Sequence, residues 1–261
     1  MFGSRLTLFE VLGFKVHIDA SWLLLAGLIV WSLAAGYFPA VAPGRGAAAY
    51  WAMGLAGLIG LALSLVVHEL AHSLVARRHG MVIAGITLFL FGGIAEMAAE
   101  PKAPKGEFRM AIAGPLTSLA LAGLAWGAML AAGAAGISAG NPVLAVVDYL
   151  ATINLFLAAF NMVPAYPLDG GRVLRAALWA WRGDLAWATR MASASGVACG
   201  FALMALGAWS AATGAWVAGL WWFVLGLFLR TAALAARAAP QAGPAKAVAE
   251  NSPPPKEYNH R

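Results

Sequence analysis

Charged side chains are scarce in this sequence: Asp, Glu, Lys and Arg make up 11% of its 261 residues, against about a quarter in a soluble globular domain. That shortage excludes an ordinary water-soluble globule, and a hydrophobic content of 62% asks for lipid as the solvent. Cysteine is nearly absent too. Cys199 is the single one, which rules out an intramolecular disulfide and a cysteine-based zinc cluster. Lying in an apolar run, it reads as an inert thiol. The net charge is +6, but the basic residues form no patch of the kind that nucleic acid requires. They sit at the ends of apolar stretches, where Lys and Arg act as signals of membrane topology.

Those stretches recur along most of the chain, each long enough for a hydrocarbon core of roughly 30 Å, which takes about 20 helical residues. Six spans are predicted: Ala20–Phe38, Ala47–Ala76, Phe108–Ala135, Val143–Val163, Trp187–Ala212 and Ala215–Ala236. Ala40-Val41-Ala42 resembles a signal-peptidase site, but the run before it exceeds a signal core of about 7–15 residues and more spans follow. Arg77, Arg78, Lys102 and Lys105 fall between the second and third spans, and Arg172, Arg175 and Arg182 between the fourth and fifth. By the positive-inside rule these connections and both termini face the cytoplasm of a cell membrane.

Between Met81 and Glu100 the pattern changes. Ile86-Thr87-Leu88-Phe89-Leu90-Phe91 is rich in β-branched and aromatic residues and ends at Gly92-Gly93, which predicts a short β-hairpin. Exposed backbone cannot rest in lipid, so the hairpin must pack on helices or line a wet cavity. The expected fold is therefore an all-α polytopic membrane protein with about six transmembrane helices and a small membrane-associated hairpin. Residues 1–239 are expected to form one transmembrane domain, and 240–261, with Pro253-Pro254-Pro255, a disordered cytoplasmic tail. Gly123 with Gly127, and Gly196 with Gly200, have the spacing that lets helices approach closely, and are expected to pack within the chain. No oligomeric state follows from them.

The chemistry concentrates in His68-Glu69-Leu70-Ala71-His72, inside the second span. Residues four apart on a helix are about 40° apart around the axis and roughly 6 Å along it, so both imidazoles can reach one ion. Glu69 projects about 100° away from His68, where it can act on water as a general base without ligating the metal. Charged groups at bilayer depth cost about 2.5–3.5 kcal/mol each, so such a cluster marks function more often than packing. A polar cluster satisfied by neighbouring helices is the plain alternative.

A catalytic zinc takes a third protein ligand and an open position. Asp148 starts the fourth span at the opposite face, about 20 Å away. Asp169 follows that span on the side of Arg77 and Arg78, within Asn161-Met162-Val163-Pro164-Ala165-Tyr166-Pro167-Leu168-Asp169-Gly170-Gly171, whose prolines and glycines break a helix. The predicted site is one Zn2+ held by His68, His72 and Asp169 with Glu69 as base. Against it stands a bland reading of 164–171 as a solvated loop.

This pairing of H-E-x-x-H in an early membrane helix with the Asn161, Pro164, Pro167, Asp169, Gly170 pattern resembles the site-2 protease family of intramembrane metalloproteases. The resemblance is sharp from about Leu61 to Arg172 and generic over the last two helices. It implies hydrolysis of peptide bonds in or near the transmembrane segments of membrane-protein substrates, zinc on the positions named above, and a role for Asn161 in holding the substrate or polarising its carbonyl. It also implies a membrane-associated β element to whose edge an extended substrate adds, which puts Gly92 and Gly93 among the substrate contacts. No insertion fits a PDZ domain and no C-terminal pair of CBS domains is expected. Asn154, about two turns before Asn161, has two readings, a substrate contact or a packing hydrogen bond. His17 and Asp19 are expected at the polar entrance to the first span, His79 at headgroups, and Glu96 and Glu100 on the hairpin as alternative ligands or substrate contacts. The competing function is a cleavage-inactive membrane protein that binds or transports zinc.

Overall fold

The computed structural model describes residues 5–81, 83–89, 92–97, 101–138 and 140–238. The chain starts with two antiparallel strands, β1 (Arg5–Val11) and β2 (Phe14–Asp19), whose turn places Leu12 and Gly13 at positive φ. Asp19 then caps the first helix, its carboxylate accepting from the Ser21 amide at 2.9 Å, so its role is structural. Helix α1 (Ala20–Ser32) continues through a π turn (Leu33–Tyr37) into the short α2 (Phe38–Val41). There follow α3 (Ala47–Arg78), β3 (Ile83–Phe89), β4 (Gly92–Met97), α4 (Pro104–Ala134), α5 (Pro142–Asn161), α6 (Asp169–Arg182), α7 (Leu185–Ala212) and α8 (Trp216–Ala238).

Six helical stretches are long and apolar enough to cross a membrane, and they coincide with the six predicted spans to within a few residues at each end. Large apolar side chains such as Leu24, Leu130 and Val217 stand outward and exposed, an arrangement that lipid accommodates. Helix α6 is different. Its 14 residues are too few to span, and it buries Gly170, Gly171, Arg175 and Ala176 while presenting Trp181 outward.

The predicted hairpin is present as β3 and β4, but it is half of a larger unit. All four strands form one sheet in the order β1-β2-β3-β4, with β2 and β3 parallel through Val16↔Ile86, His17↔Thr87 and Ile18↔Leu88. The larger sheet fixes two details that the hairpin alone left open. A ring nitrogen of His17 lies 3.0 Å from Thr7 Oγ1 in a cross-strand contact, well within the sheet. Strand β3 is interior, so among the described residues the free edge of the second hairpin belongs to β4. The sheet is pinned to the end of α3 by Arg77, whose Nη1 donates to the Leu12 carbonyl at 2.8 Å and whose guanidinium lies over the Phe14 ring. Val16, Trp22, Leu65, Val66 and Leu88 form the apolar cluster between sheet, α1 and α3.

The two glycine pairs part company. Gly200 lies so close to α8 that an added Cβ would stand 2.8 Å from Arg230 Cβ and from the Gly226 carbonyl. Among the described residues Gly123 and Gly127 face nothing within 4 Å, so the expected packing there is not seen. On that face α4 meets no described helix, and a small-residue spacing packs only where a partner exists. The predicted tail, 240–261, and Glu100 lie outside the described residues.

Candidate metal centre

Helix α3 carries His68, Glu69 and His72, all buried, in its last three turns. Its apolar sequence runs without a break to Arg77-Arg78, which suit the negative end of the helix dipole. Each imidazole is held by its Nδ1. That of His72 donates to the Met110 carbonyl at 2.7 Å, and that of His68 lies 2.8 Å from Ser118 Oγ. Both partners belong to α4. A carbonyl can only accept, so His72 carries its proton on Nδ1 and leaves the Nε2 lone pair free for a metal.

The two Nε2 atoms lie 3.2 Å apart, and Asp169 Oδ2 completes the triangle at 3.2 Å from His68 and 3.1 Å from His72. Tetrahedral ligands about 2.0–2.1 Å from zinc are separated from one another by roughly 3.3 Å. The donor set of two imidazoles and a carboxylate fits a zinc ion in kind and in spacing, and leaves a fourth position for water. Among the described residues no other group of three His, Cys, Asp or Glu converges in this way.

Space for the ion comes from a residue that the sequence reading passed over. Gly114 of α4 faces the triangle, and a Cβ there would stand 2.6 Å from His68 Nε2 and closer still to His72 Nε2. It precedes Pro115, which removes an amide from the helix interior. A Gly-Pro pair inside an otherwise regular apolar helix was the available signal.

Asp169 arrives by another route. After α5 ends at Asn161, the chain turns through short hydrogen bonds, Ala165 N to the Val163 carbonyl at 2.7 Å and Leu168 N to the Ala165 carbonyl at 2.9 Å, with a cis bond before Pro167. Asp169 is then the first residue of α6, rather than a member of an unwound segment. The loop folds back on that helix so tightly that a Cβ at Gly170 would lie 2.5 Å from the Val163 carbonyl, and one at Gly171 2.5 Å from the Ala165 carbonyl carbon. Ser195 of α7 donates to the Pro164 carbonyl at 2.6 Å. Beneath the loop, buried Arg175 of α6 pairs with buried Glu107 of α4, Nε donating to Oε1 at 2.6 Å, and its guanidinium lies under the Tyr166 ring. Neither partner of this ion pair stood out in the sequence, because the two are 68 positions apart.

The remaining predicted residues are spread more widely. Asn161 ends α5 and donates from Nδ2 to the Leu157 carbonyl at 3.0 Å. Asn154 is 3% exposed, its Nδ2 bonded to Ser64 Oγ at 2.9 Å and to the Leu150 carbonyl at 2.8 Å, which joins α5 to α3 one turn before His68. Gly92 and Gly93 open β4 opposite Phe89 and Leu88. His79 caps α3, its Nδ1 donating to the Val75 carbonyl at 2.9 Å. Asp148 lies apart from the triangle, in a cleft of about 210 Å³ with Val41 and Met129.

Comparison with known proteins agrees with this geometry. The sequence matches peptidase family M50 over residues 56–137 and 127–206, stretches that contain both halves of the metal site. Rip3 of Mycobacterium tuberculosis is 44% identical over 198 residues, 76% of this chain and 50% of that protein. Zinc metalloprotease MJ0392 of Methanocaldococcus jannaschii is 41% identical over 118 residues, 45% of this chain and 33% of the relative. The chain thus spans about half the length of Rip3. Among solved structures, the site-2 protease from Methanocaldococcus jannaschii superposes with a TM-score of 0.62 at 26% identity, covering 92% of this chain and 98% of that one. Sequence match, membrane fold and donor triangle agree: the chain is a polytopic membrane protein that belongs to peptidase family M50, the site-2 proteases.

Proposed function

We propose that this protein is an intramembrane zinc metalloendopeptidase, cleaving membrane-protein substrates in or near their transmembrane segments. The observation that carries the reading is the closed triangle of His68, His72 and Asp169 beside a buried Glu69, inside a chain of six apolar helices. His68, His72 and Asp169 would hold the ion, which when bound would supply Lewis acidity towards a carbonyl and a water. The rest falls to the protein. Glu69 takes a proton at its carboxylate and returns it to the leaving amine. Ser118 and the Met110 carbonyl keep the imidazoles turned so that both Nε2 atoms point at one spot.

A helical substrate hides its carbonyls, so its backbone must be locally unwound before water can attack. In the proposed complex the unwound segment adds to the free edge of β4, where main-chain hydrogen bonds replace those of the helix. Gly92, Gly93 and Asn161 serve as substrate contacts, and Asn154 joins α5 to α3 through its Nδ2 while its Oδ1, without a partner among the described residues, is left to accept from substrate. Arg77, Arg78, Lys102, Arg172 and Arg182 put the metal-side connections, with both termini, at the cytoplasmic face.

The test uses purified protein in nanodiscs with a panel of single-pass membrane proteins. The native chain is expected to cleave at least one substrate, and Glu69→Gln to keep one zinc per chain while losing cleavage by at least a factor of about 100. Equal cleavage by both, or zinc retained in a His68→Ala/Asp169→Ala variant, would overturn the mechanism. Zinc bound with no cleavage of any substrate would return the chain to the binding or transport reading.

A further inference from the structure

The turn from α6 into α7 carries a side-chain cluster that neither the metal centre nor the sheet uses. Gly183 ends α6 in the left-handed conformation, at a φ of 76° that suits glycine, and Asp184 caps α7, its Oδ1 accepting from the Trp187 amide at 2.9 Å. So short a turn folds the end of one helix onto the start of the next. The rings of Trp181 and Trp187 meet edge to face with centroids 6.0 Å apart, and the Arg182 guanidinium lies over the Trp187 ring, 4.5 Å from its centroid. Arg190, three residues after Trp187, shares its side of α7. Trp181 is 79% exposed, and both arginines are exposed as well. The cluster stands at the opposite end of α6 from Asp169, about 20 Å away along the helix.

The other end of α7 supplies a comparison. There Trp209 and Trp216 are 69% and 71% exposed, and no charged residue occurs from 191 to 229. An aromatic belt at the bilayer surface accounts for that end. At the α6–α7 turn the indoles come with two cations, neither of which forms an ion pair or a hydrogen bond among the described residues. The one acid on the turn, Asp184, serves as the helix cap and pairs with neither arginine. A guanidinium over an aromatic ring keeps its N–H donors, which lie in its own plane, for an acceptor elsewhere. The level of the turn says what that acceptor is. Span α7 starts at Leu185, so the arginines and indoles lie beside the headgroup region of the bilayer, where phosphates are the abundant acceptors.

We infer that Trp181, Arg182, Trp187 and Arg190 form a binding site for an anionic phospholipid, the arginines taking its phosphate and the indoles its glycerol–acyl boundary. Two cations against one committed carboxylate favour a headgroup with net negative charge over a zwitterionic one, whose ammonium would find no free acid on the turn. The test needs no cleavage. The delipidated full chain in a nonionic detergent is titrated with dioleoylphosphatidylglycerol or dioleoylphosphatidylcholine, and native mass spectrometry resolves each lipid bound. The first phosphatidylglycerol is expected to bind roughly tenfold more tightly than the first phosphatidylcholine, and Arg182→Gln and Arg190→Gln each to weaken that step about fivefold. Trp187→Leu, which removes the ring under Arg182, should weaken it too. Arg78→Gln, which removes an exposed arginine at the end of α3, should leave it unchanged, and the lipid-free Tm should be the same in all three arginine variants. Equal affinity for the two lipids overturns the inference. So does an equal loss with Arg78→Gln, which marks a diffuse field rather than a site, or a loss in both Arg182→Gln and Arg190→Gln matched by a fall in lipid-free Tm, which marks a packing role. Displacement of the first phosphatidylglycerol by millimolar inorganic phosphate would also overturn it, by assigning the arginines to free phosphate.

Discussion

The His68 and His72 side of the metal centre stands on one uninterrupted helix, whereas the Asp169 side stands on a loop that folds back over the start of α6. On the first side, helical periodicity alone brings two ligands together, and α4 needs only to turn the rings through Ser118 and Met110. On the second, no local rule sets the position of the carboxylate. It depends on the close approach of Gly170 and Gly171 to the loop backbone, on Ser195, and on the buried pair of Arg175 with Glu107. Helix α4 is common to both sides, since it supplies Ser118, Met110, Gly114 and Glu107. The site is thus assembled on α4 although α4 contributes no ligand.

The largest effect should come from the one place where both sides meet. Gly114→Val would put side-chain atoms where the three donors converge, and zinc content by mass spectrometry should fall from one per chain to nearly none. Normal zinc in that variant would show that α4 does not shape the cavity. Next comes the loop side. Arg175→Met removes the guanidinium that pairs with buried Glu107, a change that typically costs about 3–5 kcal/mol, and should lower Tm and loosen Asp169. Adding Glu107→Gln should recover most of the loss, and a failure to recover would mean that α6 is held by something else. A smaller effect is expected on the helix side. Ser118→Ala removes the contact that orients His68 and should weaken zinc by about 10–100-fold, as read by competition with a chelator, with little change in Tm. The smallest belongs to the outer face of α4, where Gly123→Ala should raise stability by about 0.5–1 kcal/mol through helix propensity alone, because among the described residues nothing stands within 4 Å of it. A large loss there would reveal a partner for that face.

The same contrast decides what could be read in the sequence. The spans and the shared helix of His68, Glu69 and His72 follow from periodicity and composition over adjacent residues, and these elements lie where they were expected. Asp169 was legible because prolines and glycines announce a break and the charge pattern says on which side it falls. Most of what escaped was held by partners remote in sequence. The parallel seam hides because β2 pairs with residues some 70 positions later, whereas the β1–β2 hairpin, closed by the Leu12-Gly13 turn, is local and was passed over. Glu107 and Arg175 each look like an interfacial charge until α4 and α6 are brought together. Gly114 looked like one of 30 glycines, and only the two ring nitrogens in front of it show why it lacks a side chain. The free edge went to β4 because the sheet has more strands than local pattern reveals.

The parallel pairing of β2 with β3 also bears on how the protein is made. Between those strands the chain crosses the bilayer twice, through α1–α2 and α3, so that the link of this parallel pair is a helical hairpin buried in lipid. Ile18 must therefore wait for Leu88, 70 residues later. At about 5–20 residues per second of synthesis the wait is roughly 4–14 s. During that interval the nascent β1–β2 ribbon has an open edge at the insertion machinery, the kind of edge that invites wrong partners. The sheet of this protein is thus completed only after two spans have been threaded into the membrane, so that its closure records that both have crossed.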